Sequence, residues 1–253
     1  MPNPTKSNSR CALRKGLFVL LTCFVGALAS RAVTISQWTF ESSPPPDITD
    51  SATASGGAAD LGNGSASGVH ASSFADWSTP EGNGSAHSWN ANRWAVGDYW
   101  QFEISTIGFR NVSLSWDQTS SATGPRDFGL FFSTDGIAFT QFGMNYAVVP
   151  NGSPNPAWSS GTSQPAYRFG FDLSAITALN DDASIFLRLV LQTDVQADGV
   201  GSILAGGTDR IDNFTVNGTT VPSAVPESLP LSIAAAAILT LLLASRWLLR
   251  CIA

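Results

Sequence analysis

Apolar and polar residues alternate with a period of two through most of the middle of the chain. In Tyr99–Ile104 (YWQFEI), Trp100, Phe102 and Ile104 share one face, and Tyr99, Gln101 and Glu103 take the other. Val112, Leu114 and Trp116 alternate with polar residues in Asn111–Asp117, as do Phe128, Leu130 and Phe132 in Asp127–Ser133. Each segment predicts a half-buried antiparallel strand. Ser184–Gln192 (SIFLRLVLQ) sets Ile185, Leu187, Leu189 and Leu191 against Phe186 and Val190. That pattern predicts a central strand in a sheet covered on both faces. Thr34–Phe40 and Arg210–Asn217 supply the first and last strands, and Tyr146–Val149 and Tyr167–Phe171 carry a weaker alternation.

Turn chemistry separates these runs at Gly124-Pro125, Thr134-Asp135-Gly136, Asn151-Gly152 and Asn217-Gly218. One helical turn is expected over Leu173–Leu179, with Asp172 or Ser174 as its cap. Residues 42–66 and 150–165 are rich in Ser, Gly, Pro and Ala and predict long loops. No repeat of 20–50 residues is present, which argues against a propeller or solenoid. Eight or more short strands with long connections predict an all-β fold, a two-sheet β-sandwich of jelly-roll type.

The two ends follow different rules. Lys6, Arg10, Arg14 and Lys15 precede the apolar run Gly16–Leu28, and small residues follow it. This is the layout of a secretory signal peptide, with cleavage after Ala29 or Ala32. Thirteen residues of helix reach only about 20 Å, short of a bilayer core of about 30 Å. At the other end Pro230–Ser245 is uncharged, and Trp247, Leu248 and Leu249 extend it once Arg246 snorkels to the interface. The span then reaches about 30 Å and predicts a single transmembrane helix. Arg246 and Arg250 flank it, which places the C-terminus in the cytoplasm and the acidic domain outside.

Val225, Pro226 and Glu227, followed by that helix and its arginines, resemble the PEP-CTERM sorting signal of Gram-negative bacteria. Ser228 stands where the family has a second proline, and Pro230 keeps the stretch extended. The resemblance implies processing by an exosortase-type membrane protease. The middle of the chain also resembles PEP-CTERM ectodomains, through Trp116-Asp117-Gln118, Gly124-Pro125-Arg126-Asp127-Phe128, Ser133-Thr134-Asp135-Gly136 and Arg210-Ile211-Asp212-Asn213. That likeness implies fold and family but no activity. The chain thus divides into a signal peptide (1–32), a β-sandwich ectodomain (33–220), a linker with the Val-Pro-Glu motif (221–228), a transmembrane helix (229–249) and a cytoplasmic basic tail (250–253).

Charge narrows the partners. Only 13% of the residues are charged, and between residues 33 and 225 six arginines face 18 acids, a net charge of −12. Nucleic acid is therefore no partner, since phosphate binding needs a basic surface. Eight Trp and 15 Phe rule out a disordered chain. Cys11, Cys23 and Cys251 all fall outside the ectodomain, so it folds without disulfides and offers no thiolate to a metal.

Catalytic chemistry is sparse. His70 and His87 are the only histidines and lie away from any Gly-x-Ser-x-Gly elbow, which leaves no hydrolase triad. A polysaccharide hydrolase would need two carboxyls facing each other in a cleft. Asp181, Asp182, Asp194, Asp198, Asp209 and Asp212 are where Ca²⁺ would bind, but loop capping and surface charge are the better account of them, and no EF-hand spacing occurs. No other cofactor is implied. Asp212 shares strand parity with Phe214 and Val216, which predicts an inward carboxylate paired with Arg126 or Arg188. Trp77, Trp89, Trp94 and Trp158 lie in polar stretches and are the candidate sugar-stacking platform. The expectation is an exported, surface-sorted, non-catalytic protein of the envelope or exopolysaccharide matrix. The alternatives are a lectin-like carbohydrate-binding module on the cell surface and a polysaccharide hydrolase.

Overall fold

The computed structural model describes residues 31–221. Residues 1–30 of the expected signal peptide, the Val225-Pro226-Glu227 motif, the apolar C-terminal segment, and Arg246 and Arg250 lie outside the described residues, whereas Ala32 already begins the first strand, paired with Thr219.

Thirteen strands follow one another along the chain: β1 (Ala32–Trp38), β2 (Thr53–Ala58), β3 (Leu61–Gly62), β4 (Ser65–Val69), β5 (Trp77–Ser78), β6 (Trp89–Ala91), β7 (Tyr99–Ile104), β8 (Phe109–Ser120), β9 (Asp127–Ser133), β10 (Thr140–Ala147), β11 (Arg168–Asp172), β12 (Ile185–Leu191) and β13 (Asp209–Thr220). They form two antiparallel sheets. The front sheet runs β11-β8-β13-β1-β3, and β6 and β5 continue it beside the start of β13. The back sheet runs β10-β9-β12-β7-β4-β2. The inward faces meet in one sandwich core containing Trp38, Trp77, Trp89, Trp100 and Trp116, with Phe102 stacked on Phe214 at 3.6 Å.

The alternating segments fold as the pattern predicts. Those that differ do so for packing reasons. Residues 42–66 are not one loop, because β2, β3 and the start of β4 lie within them. These strands are built of Gly, Ala and Ser because indole rings occupy the space above them. A Cβ at Gly56 would fall 2.5 Å from the Trp89 ring, and one at Gly68 would fall 2.2 Å from the Trp77 ring. Poor β-formers are therefore the residues that fit here. The edge strand β10 starts at Thr140, well before the expected Tyr146, and is interrupted by a register shift between Phe142 and Tyr146. The expected helical turn shrinks to a 3₁₀ turn over Thr177–Leu179. Before it, the Asp172 carboxylate accepts the Ser174 N–H at 2.9 Å.

A polar network crosses the core. The Asp209 carboxylate accepts from Trp100 Nε1 (2.7 Å), Gln118 Nε2 (3.0 Å) and Ser120 Oγ (2.9 Å). Gln118 Oε1 in turn accepts from Trp116 Nε1 (3.0 Å) and the Tyr146 hydroxyl (2.8 Å). Burial pushes the Asp209 carboxyl up to about 7, although its three donors act in the opposite direction. The same burial, with Asp209 nearby, raises the Tyr146 hydroxyl well above its ordinary value.

Candidate functional site

The four tryptophans expected to form a platform are buried. Trp77, Trp89 and Trp94 are at most 5% exposed and belong to one cluster with Trp100, at ring separations of 4.7 to 5.7 Å. Trp158 is also 5% exposed and packs edge-on against Tyr167 in a different part of the molecule. None offers a free ring face to a sugar. The polar neighbours that suggested loops are the short strands β5 and β6 and the segments around them, which turn their tryptophans into the sandwich.

Asp212 also departs from its expected place. Its partner across the ladder is Asp117, whereas the next register pair is Thr215 with Ser115. The intervening bulge holds Asn213 at φ 53° and reverses the parity of β13. Phe214 therefore enters the core, while Asp212 joins Asp117 on the outer face of the front sheet. Among the described residues no arginine pairs with it. Its carboxylate accepts from Ser85 Oγ (2.7 Å), the Asn83 N–H (2.8 Å) and the Asn213 N–H (2.7 Å). Arg126 instead grips Asp127 at 2.9 and 3.1 Å, and Arg188 belongs to the back sheet.

Around these carboxyls lies a polar cleft of about 400 Å³. Gln37, Ser115, Asp117, Asn213 and Thr215 form its floor, Asn83 to Ser85 with Ser163 form one wall, and Arg168 stands on the rim. Asp117 holds Arg168 Nε at 3.4 Å and the Asn213 side-chain amide at 2.9 Å. Burial, reinforced by the Asp117 charge, pushes the Asp212 carboxyl up to about 7 against the pull of its donors. Both carboxyls are fully covered. They pin the surrounding loop and the Arg168 and Asn213 side chains, and neither presents an oxygen to the cleft's solvent.

The aromatic surface lies elsewhere, on the outer face of the back sheet. Tyr99, Gln101 and Glu103 of β7, Phe131 of β9, and Phe186, Arg188 and Val190 of β12 point away from the core and are half-buried. In register, Gln101 faces Arg188, which faces Phe131. The Arg188 guanidinium sits between two rings, 4.0 Å from the Tyr99 centroid and 3.6 Å from the Phe139 centroid. Its Nε donates to Gln101 Oε1 at 2.7 Å, and Ser184 Oγ donates to Glu103 Oε1 at 2.7 Å. Phe139 arrives on the turn joining β9 to β10. Asp135 braces that turn by accepting the Ile137 and Ala138 N–H groups, and Gly136 lies over the Phe186 ring. Phe186 is thus covered in part by a hairpin. The outward parity of Phe186 and Val190 was the sequence signal for this surface, as was that of Tyr99.

Of the acids considered for Ca²⁺, four hold backbone N–H groups. Asp181 accepts the Gly108 N–H, Asp182 that of Ser184, Asp194 that of Ile203 and Asp198 that of Val200. Among the described residues no three His, Cys, Asp or Glu side chains come together as a cation site. His87 Nδ1 lies 3.5 Å from Glu41 Oε2. His70 is boxed between Trp77 and Trp94, and burial pulls its imidazole down to about 4 against a backbone contact at Asn92.

No family model matches the chain, and no curated protein matches it. Solved structures do. One is the CBM22-1–GH10 part of a Clostridium thermocellum xylanase, complexed with xylohexaose, at 15% identity and TM-score 0.40. That match covers 76% of this chain but 30% of the xylanase chain. Another is the mannan-recognising carbohydrate-binding module TmCBM27, at 11% identity and TM-score 0.36, over 75% of this chain and 99% of that one. A third is the K3 cleaved adhesin domain of Lys-gingipain from Porphyromonas gingivalis W83, at 11% identity and TM-score 0.36, over 73% and 98% of the two chains.

Proposed function

We propose that residues 33–220 are a carbohydrate-binding module of an exported, surface-sorted bacterial protein, with the outer face of the back sheet as the binding surface. One observation carries this reading: the Tyr99–Arg188–Phe139 stack flanked by Gln101 and Glu103. A pyranose has an apolar C–H face and a rim of hydroxyls. Fixed aromatic rings meet the first, and planar amide, carboxylate and guanidinium groups meet the second with paired hydrogen bonds. The rings here are braced from below by strands and from the side by a hairpin, so little ordering is lost on binding. We read the topology as jelly-roll type, since sheet neighbours such as β12 and β7 are far apart in sequence.

Binding, not catalysis, is the reading that the cleft also favours, because Asp117 and Asp212 spend their oxygens on the protein's own donors. Export and sorting are supported by the Val225-Pro226-Glu227 motif, the apolar segment after it, and Arg246 and Arg250. The full chain, solubilised in mild detergent, is run by affinity electrophoresis through gels containing neutral and acidic polysaccharides. Retardation by at least one polymer is expected, weakened about tenfold or more when Tyr99 and Phe139 are both replaced by Ala. Retardation by none, or no effect of the double replacement at an unchanged melting temperature, overturns the proposal.

A further inference from the structure

We infer that the back-sheet surface takes an acidic glycan, one bearing uronate carboxylates, with Arg188 as the group that reads the carboxylate. The inference rests on the carbohydrate-binding reading above and names its substrate class. Arg188 is half-buried between aromatic rings in an acid-rich chain, whereas Arg93 and Arg110, which also make no ion pair among the described residues, are exposed. Arg126 and Arg168 each hold an aspartate, and Arg210 feels the charge of Glu81. Arg188 makes no ion pair among the described residues, and its one hydrogen bond goes from Nε to a neutral amide oxygen. Among the described residues the two terminal nitrogens have no hydrogen-bond acceptor.

A guanidinium held 3.6 Å and 4.0 Å from two ring centroids keeps its faces occupied and only its edge available. An edge with two parallel N–H donors matches a carboxylate bidentately, a fit that neutral hydroxyls do not reproduce. The charge is half-desolvated and has no counter-ion of its own, so a ligand carboxylate would supply the missing partner. Glu103, held by Ser184, lies one residue pair along the face and is the nearest outward acid on β7. It disfavours a second anion there, which spaces the bound uronate from its neighbours.

The test compares polygalacturonate, alginate and glucuronate-bearing xylan with their carboxyl-reduced forms. It uses the full chain in detergent at about 0.15 M salt, where charges beyond about 8 Å are screened and the acidic remainder of the domain matters little. At least one acidic polymer is expected to bind, and its carboxyl-reduced form to bind about tenfold or more weakly. Arg188→Gln should erase that difference while the melting temperature and near-ultraviolet circular dichroism stay in place. Arg188→Lys should recover little of it, since a lysine keeps the charge but loses the fork. Equal binding of native and reduced polymers overturns the inference and leaves the carbohydrate reading standing. Binding of no polymer in either form overturns the inference, and overturns both readings when the neutral polysaccharides also fail to retard the protein.

Discussion

The Trp77 ring lies directly on Gly68, so close that a Cβ at position 68 would fall 2.2 Å from it. The pair joins β5 to the inner face of β4, and the indole Nε1 of Trp77 closes the contact by donating to the Ser51 carbonyl at 2.9 Å. A tryptophan in a stretch that reads as loop is thereby core, and a glycine in a strand is the socket that receives it.

Trp77→Ala should accordingly destabilise the domain by about 3–5 kcal/mol, as much as Trp116→Ala, because both empty space in a packed interior. As a solvent-facing loop residue, Trp77 would have cost under about 1.5 kcal/mol. Urea unfolding of the two variants distinguishes these outcomes. A small loss at Trp77 beside a large one at Trp116 would show that the 77–91 region is peripheral.

The socket makes its own prediction. Gly68→Ala should cost about 1–3 kcal/mol, since the added methyl must push a fixed indole aside. Gly161→Ala, where nothing lies within 4 Å, should be neutral or slightly stabilising through the unfolded chain. Equal effects at the two sites in thermal melts would argue against close Trp–Gly packing.

Two buried groups set opposing pH dependences. Asp209 has a folded pKa of about 7, above its unfolded value near 4. Its favourable contribution is present below pH 4 and is lost as pH rises through 7. His70 has a folded pKa of about 4, below its unfolded value near 6.5, so its contribution is present above 6.5 and is lost as pH falls through 4. Asp209→Asn should therefore make the slope of stability against pH more positive between 4 and 7, and His70→Phe should make it more negative. Urea midpoints measured across that range give both slopes. Parallel profiles for wild type and both variants would mean that neither group changes its proton affinity on folding.

The sorting proposal is checked in the native host. If the sorting proposal holds, the Pro-flanked Glu227 would offer the protease both an extended stretch to bind and a charge to read. Glu227→Ala should leave an uncleaved precursor in the inner membrane, and Ser228→Pro should process as well as wild type or better. Blots of fractionated cells report both. Normal release of the Glu227→Ala protein would leave a plain single-span anchor.

The sequence alone determined the strands whose apolar residues alternate, because a period of two leaves one face for water and one for the core. Tyr99–Ile104 and Asp127–Ser133 match their strands residue for residue. It also determined that a domain without cysteine must hold itself by burial. Tertiary structure alone decided wherever a residue's partner lies far along the chain. Gly56 and Gly68 look like loop until the rings of Trp89 and Trp77 fill the space above them. Asp212 looks inward until the bulge at Asn213 turns it to the cleft. The proposed binding surface was half legible: the outward parity of Tyr99 and Phe186 is written in the alternation. That Arg188 lies between Tyr99 and Phe139 is not, because strand pairing and a hairpin bring together three residues from three separate parts of the chain.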